Sequence, residues 1–139
     1  MASLIFNRAL ELMARGNIDF DTDSFKVMLT TSTYAEDKDA HAFRNDVTNE
    51  VTGTGYPAGG SGVAVTVAID LALDRVNVTL GGTSWPASTI SARKAVYYKA
   101  RGGASSADEL IAVIDFGADV ASAAGTLTLM ASTLRFSNP

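Results

Sequence analysis

Val63-Ala64-Val65-Thr66-Val67-Ala68-Ile69-Asp70-Leu71, followed closely by Arg75-Val76-Asn77-Val78-Thr79-Leu80, decides the fold class. In the first segment Val63, Val65, Val67 and Ile69 alternate with Ala64, Thr66 and Ala68; in the second Val76, Val78 and Leu80 alternate with Asn77 and Thr79. A period of two places each apolar set on one face of a strand, and that face is expected to be buried.

Outward from this pair, further short β-rich runs are separated by Gly, Asp, Asn or Ser clusters: Phe25–Thr31, Ala92–Lys99, Leu110–Phe116, Thr126–Met130 and Thr133–Phe136. That spacing predicts a mainly β chain, an antiparallel β-sandwich of jelly-roll-like or related form. One N-terminal α-helix is expected at about residues 3–15, with Ser3 as N-cap, apolar residues at Ile5, Phe6, Ala9, Leu10, Leu12 and Met13, and Gly16 as left-handed C-cap. A long polar connection covers about residues 32–62. Within it Asp37–Asp46 is compatible with a short capped helix, and the glycine-rich stretch 53–62 reads as an exposed loop ordered on binding. No tandem repeat or second domain is visible, so residues 1–139 are taken as one domain.

Apolar residues form 47% of the chain and charged residues 19%, which excludes intrinsic disorder and leaves a surface poor in charge, part of which partners could cover. Without cysteine there are no disulfides, thiolate nucleophiles or thiolate metal ligands. A net charge of −4 supplies no basic field for nucleic acid. The N-terminal residues lack the basic leader and apolar run of a signal peptide, and the uncharged runs are too rich in Gly, Thr and Ser to span a membrane as helices.

The candidate chemistry is sparse. Asp19, Asp21 and Asp23 resemble the opening of a calcium loop, but Ser24 and Thr30 stand where its glycine and bidentate glutamate belong, so an acidic turn is the better reading. The stretch Gly53-Thr54-Gly55-Tyr56-Pro57-Ala58-Gly59-Gly60 lacks phosphate-loop spacing and leads into a strand rather than a helix. His41, the one histidine, has no Gly-x-Ser-x-Gly elbow to pair with, although Ser32 and Ser61 are formal nucleophiles. Glu50, Asp70, Asp108, Glu109 and Asp115 would need a defined spatial separation to act as a hydrolytic carboxylate pair. No catalytic, cofactor-binding or metal-ligating residues are therefore assigned, and no enzymatic activity is expected.

Aromatic residues offer a surface reading. Trp85, Tyr34, Tyr56, Tyr97 and Tyr98 could form a platform for sugar or protein contact. Adjacent Tyr97 and Tyr98 point to opposite faces of a strand, so one of them is expected at a surface or interface. Arg93, Lys94, Lys99 and Arg101 add a local positive bias that could meet an acidic partner.

The run Asp21-Thr22-Asp23-Ser24-Phe25-Lys26-Val27-Met28-Leu29-Thr30-Thr31-Ser32-Thr33-Tyr34, with Asp37–Phe43 and Asp46–Gly60, resembles a family of small tailed-bacteriophage virion proteins. The resemblance is strongest over about residues 17–60 and weaker over Ala95–Lys99 and Leu110–Gly117. It implies a head decoration or cement protein on the outer surface of the capsid, a homo-oligomer that bridges copies of the major capsid protein. Neither nucleic acid nor membrane is an expected direct partner, and the resemblance brings no catalytic residues with it. The interface residues expected on this basis are Phe6, Arg8, Tyr34, His41, Phe43, Arg44, Tyr56, Pro57 and Trp85. Alternatives are a head-to-tail connector or tail component, and a carbohydrate-binding module built on Trp85 and exposed tyrosines.

Overall fold

In the computed structural model, which describes residues 3–138, the chain is mainly β with two antiparallel sheets and one helix. Its elements are β1 (Leu4–Ile5), α1 (Asn7–Ala14), β2 (Phe25–Thr30), β3 (Ser61–Val63), β4 (Val65–Asp70), β5 (Arg75–Leu80), β6 (Thr83–Lys99), β7 (Leu110–Leu129) and β8 (Ser132–Ser137). The first sheet has the order β1-β7-β6-β2-β3 and the second β4-β5-β8, a β-sandwich-like arrangement.

The spine is the β6–β7 hairpin, much longer than the runs read from sequence. Residues 83–91 and 117–125 are strand although they are rich in Ser, Ala and Gly, because each half supplies the ladder partner of the other: Ser91 opposes Ala121 and Ile90 opposes Ser122. Intrinsic β-propensity is weak there, and cross-strand pairing overrides it. Pro86, which has no N–H to give, lies in the register shift between Trp85 and Ser88; a compensating shift follows between Ser88 and Ile90. At this point the Ile90 N–H donates to Ser122 Oγ, and the Ser88 hydroxyl donates to the Trp85 carbonyl at 2.8 Å.

These bulges bend the hairpin. Ser61 aligns through Val27 with Tyr97, yet its hydroxyl lies 3.0 Å from that of Thr83 at the far end of β6. A straight strand would separate Thr83 from Tyr97 by on the order of 45 Å, so β6 must curl back. The chain passes between sheets at Ala64, at Gly81-Gly82 and at Met130-Ala131. Gly81 donates its N–H to the Ala64 carbonyl at 2.7 Å, and a Cβ at Gly82 would lie 2.6 Å from the Leu129 carbonyl, so these crossings share a crowded corner.

Both faces of the first sheet are covered around β2 and the adjoining ends of β6 and β7. On one lie Val27, Leu29, Ala95, Tyr97 and Ala112, on the other Met28, Thr30, Val96 and Tyr98, all buried. Tyr97 and Tyr98 do alternate, but both are core residues, which corrects the expectation that one of them is surface.

The N-terminal helix is shorter than expected. Leu4 and Ile5 pair with Val113 and Ala112 as an edge strand, and the Phe6 N–H donates to Ile111. Phe6, not Ser3, is therefore the N-cap, and it makes no side-chain cap bond. The C-terminal end matches expectation: Gly16 has φ of 78° and Asn17 N–H returns to the Leu12 carbonyl at 2.8 Å, a Schellman closure. The Asp37–Asp46 helix is replaced by a turn at residues 38–40 and a 3-10 turn, Arg44–Asp46.

Candidate functional site

The connection from β2 to β3 is built by short polar side chains that stop their own backbone. Asp37 accepts from the amides of Asp39 and Ala40 at 3.0 and 2.9 Å, and Asp46 from those of Ala42 and Phe43 at 2.8 and 3.0 Å. Bonds from Ala40 and then Asp39 hold the Asp37 carboxyl below its ordinary range; the Ala42 amide does the same for Asp46, with Phe43 assisting against burial. This bonding competes with helix formation, which is why the predicted helix breaks into turns.

His41 is tied into this framework. Its Nδ1 lies 2.9 Å from the buried Tyr34 hydroxyl and accepts the Asp37 N–H at 3.3 Å. Two donors converging on Nδ1 fix the imidazole as an acceptor there, with Tyr34 O–H donating. Neither Ser32 nor Ser61 meets the ring; Ser61 is bonded to Thr83.

The glycine stretch is exposed at residues 53–55 and at Pro57 and Ala58, as expected, but it is anchored by Tyr56, Gly59 and Gly60, which are buried. Tyr56 is buried; its hydroxyl donates to Glu50 Oε1 at 2.9 Å and accepts the Leu29 N–H at 2.9 Å. Gly59 N–H donates to the same Glu50 oxygen at 2.6 Å, and the Tyr98 hydroxyl donates to the Gly59 carbonyl. Residues 49–51 extend the β2 edge where β3 stops: Thr31 donates to Asn49 and Val51 to Leu29. Gly60, at φ of 78°, passes so close to β2 that a Cβ would lie 1.8 Å from the Val27 carbonyl. Packed closely on the core, the loop requires glycine there.

Four of the expected interface residues are consequently inside the chain's own core: Phe6 and Tyr34 at the helix and connection, and Tyr56 against Trp85 with ring centroids 5.7 Å apart. Their apolar surface is already spent on folding, so they are corrected to structural residues. His41, Phe43 and Arg44 are half-buried, Pro57 is exposed, and exposed Arg8 pairs with Glu11 at 2.7 Å. All four tyrosines and the one tryptophan of the chain are buried, which leaves a carbohydrate module without its aromatic platform.

The basic cluster is likewise spent internally. Arg93 pairs with Asp115 at 3.0 Å, Lys99 with Asp23 at 2.9 Å, Arg101 with Glu109 through two 2.7 Å bonds, and Lys94 with Glu36. The candidate carboxylates follow the same rule, each bonded to its own cation or amide: Glu50 to Gly59, Asp70 to Leu73, Asp108 to Arg44, Asp115 to Gly117. Asp19 and Asp23 close the acidic turn on backbone amides. Among the described residues no group of three or more His, Cys, Asp or Glu side chains is placed to hold a metal ion.

The surface that does stand out was not singled out from sequence. Along the β4–β5 hairpin the apolar face is buried at its root, where Val78 and Leu80 join the core, and open at its tip. Ile69 is 69% exposed, and Leu71 and Leu73, in the turn itself, are 76% and 58% exposed. A hollow of about 210 Å³ lined by Ile69, Leu71, Val76 and Phe136 lies on this tip; a second, of about 470 Å³, continues over Val67, Val76, Val78 and Phe136 toward Met13 and Phe20. Alternation in β4 does put its valines and isoleucine on one face, but within the chain that face is not buried: Val67 is 42% exposed. The sequence did carry a signal, two leucines in the four-residue turn Leu71-Ala72-Leu73-Asp74 where turn-forming polar residues are usual.

Comparison with protein-family models, with curated proteins and with solved structures returns no match to this chain.

Proposed function

We propose that this chain is a non-enzymatic structural protein of a tailed-bacteriophage virion, a capsid decoration or cement subunit on the outer surface of the head. Its role is to bridge copies of the major capsid protein as part of a homo-oligomer. The observation that carries an assembly role is the apolar tip of the β4–β5 hairpin, with Ile69, Leu71 and Leu73 open to solvent on a hairpin whose root is anchored in the core. Exposed large apolar side chains gathered at one hairpin tip support reading it as an interaction surface. The resemblance of residues 17–60 to small virion proteins supplies the setting.

Covering such side chains is worth on the order of 1 kcal/mol each. Cement function needs little more from one copy, because a symmetric shell repeats the contact many times. The engagement of His41 and of each candidate carboxylate in internal bonds supports the non-enzymatic reading.

The test is the copy number and position of the protein in purified particles, by densitometry against the major capsid protein and particle imaging, for wild type and for Leu71→Asp/Leu73→Asp. Copies spread over the head, lost in the double variant while the isolated protein stays folded, are expected. A few copies at one vertex would transfer the protein to the neck or tail, and absence from particles would overturn the virion reading.

A further inference from the structure

A polar cleft of about 230 Å³ lies where β2, the end of β6 and the glycine turn meet, with Lys26, Arg44, Gly59, Tyr98 and Asp108 in its lining. Asp108 is 3% exposed and both of its oxygens are in use: Oδ2 accepts from Arg44 Nε at 2.8 Å and Oδ1 from the Arg101 N–H at 2.9 Å. Arg44 in turn spends only Nε. Its guanidinium carbon lies 5.2 Å from the centre of the Tyr98 ring, and its two terminal amino groups donate to no acceptor among the described residues. Lys26 stands directly across from Tyr98 in the β2–β6 register, is exposed, and pairs with no carboxylate among the described residues.

Lys26 thus differs from Arg93, Lys94, Lys99 and Arg101, which all have carboxylate partners. Gly59 keeps the cleft open, because a Cβ there would come 3.6 Å from Arg44 Nη1 and 3.3 Å from the Tyr98 hydroxyl. The lining holds two cations and one carboxylate; a second carboxylate, Glu50, stands behind Gly59 and is held by the Gly59 amide and the Tyr56 hydroxyl.

We propose that this cleft receives a single carboxylate, an Asp or Glu side chain presented by a partner protein. The free edge of the Arg44 guanidinium offers the planar two-donor fork that matches a carboxylate, and Lys26 adds a mobile point charge at the rim. A carboxylate meets the fork with a single charge, whereas a phosphate dianion would set more negative charge beside Asp108 and Glu50. The site shares no residue with the β4–β5 apolar tip, so either assignment can fail without the other.

The experiment is an amide chemical-shift titration of the whole protein with acetate, with N-acetylglutamate amide and with inorganic phosphate, at constant ionic strength. Saturable shifts at Gly59, Gly102 and Gly103 with both carboxylates, tighter than with phosphate, are expected. Lys26→Gln, an exposed change that should not disturb folding, weakens both by about fivefold, the effect of removing one partly exposed charge contact. Arg44→Lys, which keeps the charge but removes the fork, abolishes saturation. Absence of saturable shifts, unchanged affinity in Lys26→Gln, or tighter binding of phosphate would overturn the carboxylate site. Binding of acetate but not of N-acetylglutamate amide would overturn its assignment to a partner's side chain.

Discussion

Tyr56 donates its hydroxyl hydrogen to Glu50 across 2.9 Å, and through this one bond the connection between β2 and β3 closes on itself. The same hydroxyl accepts the Leu29 amide, so a single atom joins the glycine turn to the central sheet. Burial first, and the neighbouring Glu50 charge as well, raise the phenol far above its ordinary value and keep it a neutral donor, even though the Leu29 amide pulls the other way.

Tyr56→Phe is therefore expected to destabilise the protein by about 1–3 kcal/mol, because it strands a buried amide and a carboxylate that has lost one donor. Tyr56→Ala adds a cavity beside Trp85 and should cost about 3–5 kcal/mol. Urea unfolding of the two variants measures both. A Tyr56→Ala protein as stable as wild type would return Tyr56 to the surface role expected from sequence.

Gly60 and Gly62, two residues apart, should respond oppositely to the same substitution. A Cβ at Gly60 would lie 1.8 Å from the Val27 carbonyl at a φ of 78°, whereas one at Gly62 meets nothing within 4 Å. Gly60→Ala is expected to cost roughly 3 kcal/mol or more through clash and left-handed strain. Gly62→Ala should stay within about 0.5 kcal/mol of wild type. Equal urea midpoints for the two would show that the turn is not seated on β2.

What the residues disclosed before the structure follows from which forces are local. Strand β5 falls on Arg75–Leu80 as its alternation dictates, and Gly16 closes the helix as a left-handed cap. Both signals lie within a few residues of chain. The middle of the β6–β7 hairpin is not legible in the sequence because Ala121 and Ser122 are held as strand by partners about 30 positions away, not by their own preference. The surface assignments failed for a related reason: a tyrosine suits an interface and a core equally well, and only the distant Leu29 and Glu50 decide that Tyr56 belongs inside. The alternating run from Val63 to Leu71, expected as one strand, is divided at Ala64 between β3 of the first sheet and β4 of the second, and a period of two cannot say whether the apolar face of β4 meets the chain's own core or another molecule.

Acid should unfold the protein through its bonded carboxylates. Asp46 is held below its ordinary 3.8 chiefly by the Ala42 amide, and Asp37 by the amides of Ala40 and Asp39. A depressed folded-state value means that the unfolded chain binds the proton first. The contribution is thus complete above about pH 4 and disappears as pH falls through the lower folded value. Urea midpoints measured from about pH 5 down to pH 2 should fall for wild type and fall less steeply for Asp46→Asn, whose amide oxygen can still accept one of the two bonds. Identical slopes would remove Asp46 from the acid response.

Alkali should act through the tyrosines, and all at once. Burial is the first cause that lifts each of Tyr34, Tyr56, Tyr97 and Tyr98 above the ordinary 10.0, with Tyr98 pushed up to about 12 against the favourable Arg44 charge. A raised folded-state value stabilises the fold fully below the unfolded value and is lost as pH rises toward the folded one. Since these are all four tyrosines of the chain, no phenolate absorbance should develop near pH 10 in the folded protein. It should emerge at higher pH in one cooperative step, coincident with loss of the near-ultraviolet circular dichroism signal. A tyrosine that titrates separately near pH 10 while the fold persists would show that one of these rings reaches solvent after all, with Tyr56, the most exposed of the four at 8%, the first to examine.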